Sequence, residues 1–148
     1  MSSSQESVNK GLEWYDKGEA FFETGNYEKA LDCFTRSAEL VQQNHVPRQA
    51  IAAAYHAMEK YEEAIKHYDI AIGLNPNVAN VWAEKGKALM GLKKDDDALK
   101  CFDRARRIDP ENQEAHKGWE FIWQERGFCT KLRPQGSLIS EIKNWLGF

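Results

Sequence analysis

An all-α solenoid of antiparallel helix pairs is the fold this sequence predicts, and three observations carry the prediction. The stretches NYEKALDCFTRSAEL, KYEEAIKHYDIAIGL and KDDDALKCFDRARRI resemble one another and place Ala30, Ala64 and Ala98 at a step of 34 residues. The same step links Gly18, Ala52 and Gly86; Phe21, Tyr55 and Leu89; Phe34, Tyr68 and Phe102; and Ser37, Ala71 and Ala105, without one insertion. Inside each unit the apolar residues recur at helical spacing in two runs, parted by short breaks at Gly25-Asn26, Glu59-Lys60 and Lys93-Lys94. A fixed period of roughly 20–50 residues marks units that cannot bury their apolar faces alone and must stack.

The elements follow in chain order. Residues 1–10, MSSSQESVNK, have no apolar core and read as a flexible leader, not a signal peptide. The repeat units are 11–44, 45–78 and 79–112, and the third divides into helical patterns over 79–92 and 95–108. Small residues at the Gly18/Ala52/Gly86 and Ala30/Ala64/Ala98 sites let paired helices approach to roughly 8–10 Å. Phe34, Tyr68 and Phe102 then fill the space between pairs. Pro76 and Pro110 follow the second helix of their units, where a residue without an N–H stops one helix and starts the next. The first unit has Gln42 there and Pro47 only later, so its second helix is expected to overrun by about a turn. Asp95, Asp96 and Asp97 fall in a first turn, where the helix dipole favours negative charge, and lack the alternation and glycine of a calcium loop.

Residues 113–126, QEAHKGWEFIWQER, have the form of a solitary capping helix. Its stripe is Ala115, Trp119, Ile122 and Trp123, Phe121 points toward the opposite, concave side, and Gly127 ends it. Residues 127–148 read as a linker, then a short amphipathic tail helix with Ser137 as N-cap and Leu138, Ile142, Trp145 and Leu146 on one face. About ten residues are too few for a helix to persist alone in water, so this tail is expected to dock. Its docking places are the capping helix, the groove beside Phe121 and Met90, or a second copy of the chain.

Composition narrows the function. A net charge of −3 gives no reason to expect nucleic acid or an anionic membrane as partner. No apolar run approaches the ~18 residues needed to span a bilayer. Cys33, Cys101 and Cys129 are too scattered for a disulfide framework or a metal site, and His45, His56, His67 and His116 form no HxxxH pair. These features suggest a reduced, cytoplasmic protein with no cofactor or metal. No nucleophile–base arrangement or phosphate loop appears, so an enzyme is not expected. Lys100, Arg104 and Arg107, with Arg106 adjacent, read as a solvated outer face. Net charge runs from −4 over residues 1–44 through −1 over 45–78 to +1 over 79–112 and +1 over 113–148, a polarity able to orient a ligand or promote contact between copies.

The pattern resembles the tetratricopeptide repeat. Trp14, Gly18, Phe21, Ala30 and Phe34 in the first unit match it, as do Trp82, Gly86, Leu89, Ala98, Phe102, Ala105 and Pro110 in the third; the second departs with Arg48 where Trp is usual. The resemblance implies a right-handed superhelix whose first helices line a concave groove that holds a peptide or a partner's helix. Transferred to this chain, the candidate groove is Tyr15, Glu19, Phe22, Gln49, Ala53, His56, Glu84, Lys87 and Met90, with Phe121 from the capping helix, together with Leu12, Asp16, Glu23, Ala50, Ala57, Asn80, Ala83 and Gly91. In the subclass that grips chaperone C-terminal carboxylates, Lys, Asn and Arg occupy positions that here hold Tyr15, Glu19, Ala50, Asn80 and Glu84. The expectation is an interaction adaptor without that clamp, taking a protein or peptide of basic or apolar character. The alternative is a structural module that self-associates, its groove or cap occupied by its own tail.

Overall fold

The computed structural model describes residues 3–127. Among them it forms α1 Ser3–Glu23, α2 Tyr27–Leu40, α3 His45–Ala57, α4 Tyr61–Leu74, α5 Ala79–Gly91, α6 Asp95–Ile108 and α7 Gln113–Glu125, with no strand. Consecutive helices pack against one another, and α3 also touches α5 and α5 touches α7. Odd-numbered helices therefore line one side of the stack and even-numbered helices the other, which is the expected solenoid of helix pairs.

The turn inside each pair is built identically. Gly25, Glu59 and Lys93 all lie at positive φ, 79°, 60° and 60°. The amides of Asn26, Lys60 and Lys94 reach back to the carbonyls of Phe21, Tyr55 and Leu89, each at 2.9 Å. These bonds close the left-handed helix terminus that glycine fits without cost, and Glu59 and Lys93 adopt it against their own preference. Asp95, Asp96 and Asp97 occupy the first turn of α6 as expected.

Two expectations are corrected. Residues 3–10 are not a flexible leader but the first turns of α1, with no breaker before Gly11. They are laced by Ser7 Oγ donating to Ser3 O, Gln5 to Asn9, and Lys10 paired with Glu6, all at i,i+4 spacing. Nor does α2 overrun: it ends at Leu40, the same register as Leu74 and Ile108. Val41 leaves helical geometry and turns in against Gly11. Asn44 then caps α3, its side chain accepting from Val46 N at 2.9 Å, so the helix restarts at a cap and Pro47 sits harmlessly in the first turn.

The core lies between the two helices of each pair and continues across the pairs. Phe34, Tyr68 and Phe102 are 2%, 1% and 0% exposed and anchor its three clusters. Close approach depends on missing side chains: a Cβ at Gly86 would stand 2.6 Å from the Phe102 ring, and one at Gly118 would strike the same ring from α7. The capping helix seals this end with Ala115 and Ile122 buried, and Trp119 and Trp123 in contact at 5.2 Å between ring centroids. Arg106 departs from the solvated reading, being half-buried with its guanidinium 5.1 Å from the Trp119 ring, whereas Lys100 and Arg104 are exposed. The tail residues Leu138, Ile142, Trp145 and Leu146 lie outside the described residues.

Candidate functional site

The concave side is built from α1, α3 and α5, whose buried faces are spent on the pairing with α2, α4 and α6. What remains outward encloses a pocket of about 430 Å³ lined by Tyr15, Glu19, Phe22, Glu23, Phe34, Val46, Gln49, Ala50, Ala53 and Glu84. Its walls are aromatic. The Tyr15 and Phe34 rings lie 5.5 Å apart, tilted, and Phe22 meets Tyr27 edge-on at 5.2 Å. The α3 side is low, with Ala50 and Ala53 leaving the space open.

Carboxylates supply the polarity. Glu84 crosses from α5 and accepts a 3.2 Å hydrogen bond from Gln49 Nε2 on α3. Tyr68, buried in the core behind it, donates its hydroxyl to the same carboxylate. Burial raises the Glu84 carboxyl above the ordinary carboxylate range, only partly offset by Gln49, Lys87 and Tyr68. The Tyr15 phenol is pushed up to about 12, first by burial and then by its hydrogen bond to Glu19 and that carboxylate's charge. Tyr68 is raised further, by burial and then by Glu84. The one strongly desolvated carboxylate thus sits where two repeats meet, facing a cavity with no basic side chain in its lining.

Of the residues expected in the groove, Tyr15, Glu19, Phe22, Gln49, Ala53 and Glu84 come together in this pocket. His56, Lys87, Met90 and Phe121 do not line it. His56 stands edge-on to Tyr61 at 5.3 Å, its pKa lowered by burial and then by Lys87. Lys87 pairs with Glu114 of α7 at 3.0 Å. Met90 packs on the core of the third repeat instead of walling the channel, and Ala83 is fully buried. Phe121 is 53% exposed on the capping helix. Asn80 accepts from Asn112 at 2.7 Å, tying α5 to the start of α7.

Two lining residues escaped the sequence reading. Val46 shares the 34-residue register of Leu12 and Asn80, so counting back from either would have found it. Phe34 gave no such signal, because it is a core residue that also reaches the pocket from below. No group of three His, Cys, Asp or Glu side chains suited to a metal ion occurs among the described residues. No helix among them is long and apolar enough to cross a membrane.

Comparison with known proteins agrees with this architecture. Family models described as tetratricopeptide repeat match residues 11–44 and 55–118. RNA polymerase II-associated protein 3 of Xenopus tropicalis is 32% identical over 134 residues, 90% of this chain but only 20% of that protein. Among solved structures, the first TPR of Spaghetti (RPAP3) bound to HSP90 peptide SRMEEVD aligns at a TM-score of 0.77 and 28% identity, covering 81% of this chain and 95% of that one. The second TPR domain of the human RPAP3 protein in complex with HSP70 peptide SGPTIEEVD aligns at 0.73 and 29%, covering 81% and 98%.

Proposed function

The chain belongs to the tetratricopeptide repeat family, and on that premise we propose that it is an interaction adaptor whose concave groove holds a peptide or helix of a partner protein. It acts by binding, not by catalysis. The observation that carries this reading is the aromatic-walled pocket formed where the first helices of all three repeats converge. A cavity of this size, apolar with a few placed polar groups, suits one or two anchoring side chains of a longer ligand. A cytoplasmic setting agrees with the free, buried thiols of Cys33 and Cys101.

The groove is not a carboxylate clamp in this reading. At the positions where the resemblance implies Lys, Asn and Arg, this chain has Tyr15, Glu19, Ala50, Asn80 and Glu84. An acidic tail placed there would meet Glu19 and Glu84, and like charges at short range are unfavourable. The relatives favour a second reading, since Spaghetti and human RPAP3 domains are bound to HSP90 and HSP70 peptides ending in Glu-Glu-Val-Asp. The side chains of this pocket weigh more heavily, because they and not the shared fold touch the ligand.

Isolation of partners from the native organism with wild type, Ala53→Arg and Phe22→Ala protein tests the proposal. Ala53 is partly exposed at the pocket, so arginine there fills the channel without entering the core. Loss of the same partner in both variants, with unchanged helix content, is the expected result. A partner retained by both places binding elsewhere, and concentration-dependent mass without any partner favours self-association instead.

A further inference from the structure

Glu84 is unusual in being a carboxylate drawn into the interior of a binding face. It sits on α5, yet its partners are Gln49 on α3 at 3.2 Å and Tyr68 on α4. Two donors occupy only part of the roughly four acceptor positions of a carboxylate, so Glu84 can still accept a fork of two parallel N–H bonds. Glu19 and Glu23 line the same pocket from α1, and no basic residue does. The nearest cation named by its electrostatics, Lys87, is paired with Glu114. Two aromatic faces, Tyr15 and Phe22, complete the walls.

From this arrangement we infer that the pocket receives a cationic side chain of the partner peptide, seated against the Tyr15 and Phe22 rings with its charge directed at Glu84 and Glu19. Arginine fits better than lysine. Its planar fork matches a carboxylate edge, it stacks on aromatic faces, and it gives up hydration more readily than an ammonium group. The inference rests on the groove reading and sharpens it, since it names the residue of the ligand that the central pocket selects. Binding would also restore to Glu84 the opposite charge that its burial calls for, which fits the upward displacement of its carboxyl.

A random dodecapeptide display library panned against the full chain tests this. The expected result is a consensus with arginine or lysine at one position. In synthetic copies of the selected peptide, replacing that residue with norleucine should weaken binding by about tenfold or more, the scale of one charged contact. The same replacement should cost much less in the Glu84→Gln protein, because the two losses share one contact. Glu19→Gln, on an exposed position that cannot unfold the chain, should reproduce part of the effect. A consensus without a basic residue overturns the inference, as does a basic residue whose replacement costs the same in wild type and in both variants. Selected peptides that bind Ala53→Arg as well as wild type, or a library that yields no binder, overturn the groove reading itself.

Discussion

Phe34, Tyr68 and Phe102 stand 34 residues apart and are equally buried, whereas Glu19, Ala53 and Lys87 stand 34 residues apart and share neither size nor charge. The two sets lie on different faces of the same repeats. A buried position between helices must keep nearly constant volume, because interiors are close-packed and each pair docks on the next in the same way. A concave position has no such neighbour to satisfy. Variation there costs the fold little, and it decides what the groove can hold. Tyr68 connects the two faces: it is a core ring in register with two phenylalanines, and its hydroxyl reaches Glu84 in the pocket.

This contrast can be broken first on the buried side. Phe102→Ala removes a fully buried ring shared by α5, α6 and α7 and should cost about 3–5 kcal/mol, read as a large fall in the denaturant midpoint. A loss under about 1 kcal/mol would mean that the end of the solenoid repacks freely. Gly118→Ala tests the same contact from the capping helix. The added methyl meets the Phe102 ring, which has no room to move, and a cost of about 1–3 kcal/mol is expected in thermal unfolding.

At the junction of the faces, Tyr68→Phe keeps the ring and removes only the bond to Glu84, so about 1 kcal/mol should be lost. A much larger loss would show that packing differs between Tyr68 and its phenylalanine equivalents. The smallest effect is one of pH. The Glu84 carboxyl is raised in the folded state, so its contribution is fully present below the unfolded carboxylate value and is lost as pH rises through the folded one. Glu84→Gln does not titrate, and its melting temperature relative to wild type should therefore rise between about pH 4 and about pH 7. A flat difference would contradict the desolvation of Glu84.

The helix pairs, their order and the capping helix were legible because burial enforces the register that the eye detects in sequence. Ala30, Ala64 and Ala98 are all fully buried, as their spacing implied. The ends of helices were less legible. Nothing apolar marks Ser3–Lys10 as helical, since its support is i,i+4 pairing of polar side chains. The end of α2 was misjudged because a missing proline was weighed above Asn44, whose side chain caps the following helix. At the site, the 34-residue register placed six groove residues correctly. It misassigned Met90, since a long flexible side chain can fold onto the core as readily as into the groove. The bond from Gln49 to Glu84 spans 35 residues between two helices, and no periodicity within one repeat could reveal it.

Calorimetric titration of the full chain with the peptide SRMEEVD, the ligand seen on the Spaghetti domain, tests most directly whether the departures on the concave face, and not the shared fold, set the ligand. With Glu19 and Glu84 at the pocket, no saturable heat is expected up to about 1 mM peptide, equivalent to binding weaker than about −4 kcal/mol. One-to-one binding with a micromolar dissociation constant, about −8 kcal/mol, would contradict the account and return the groove to the chaperone-tail ligands of its relatives.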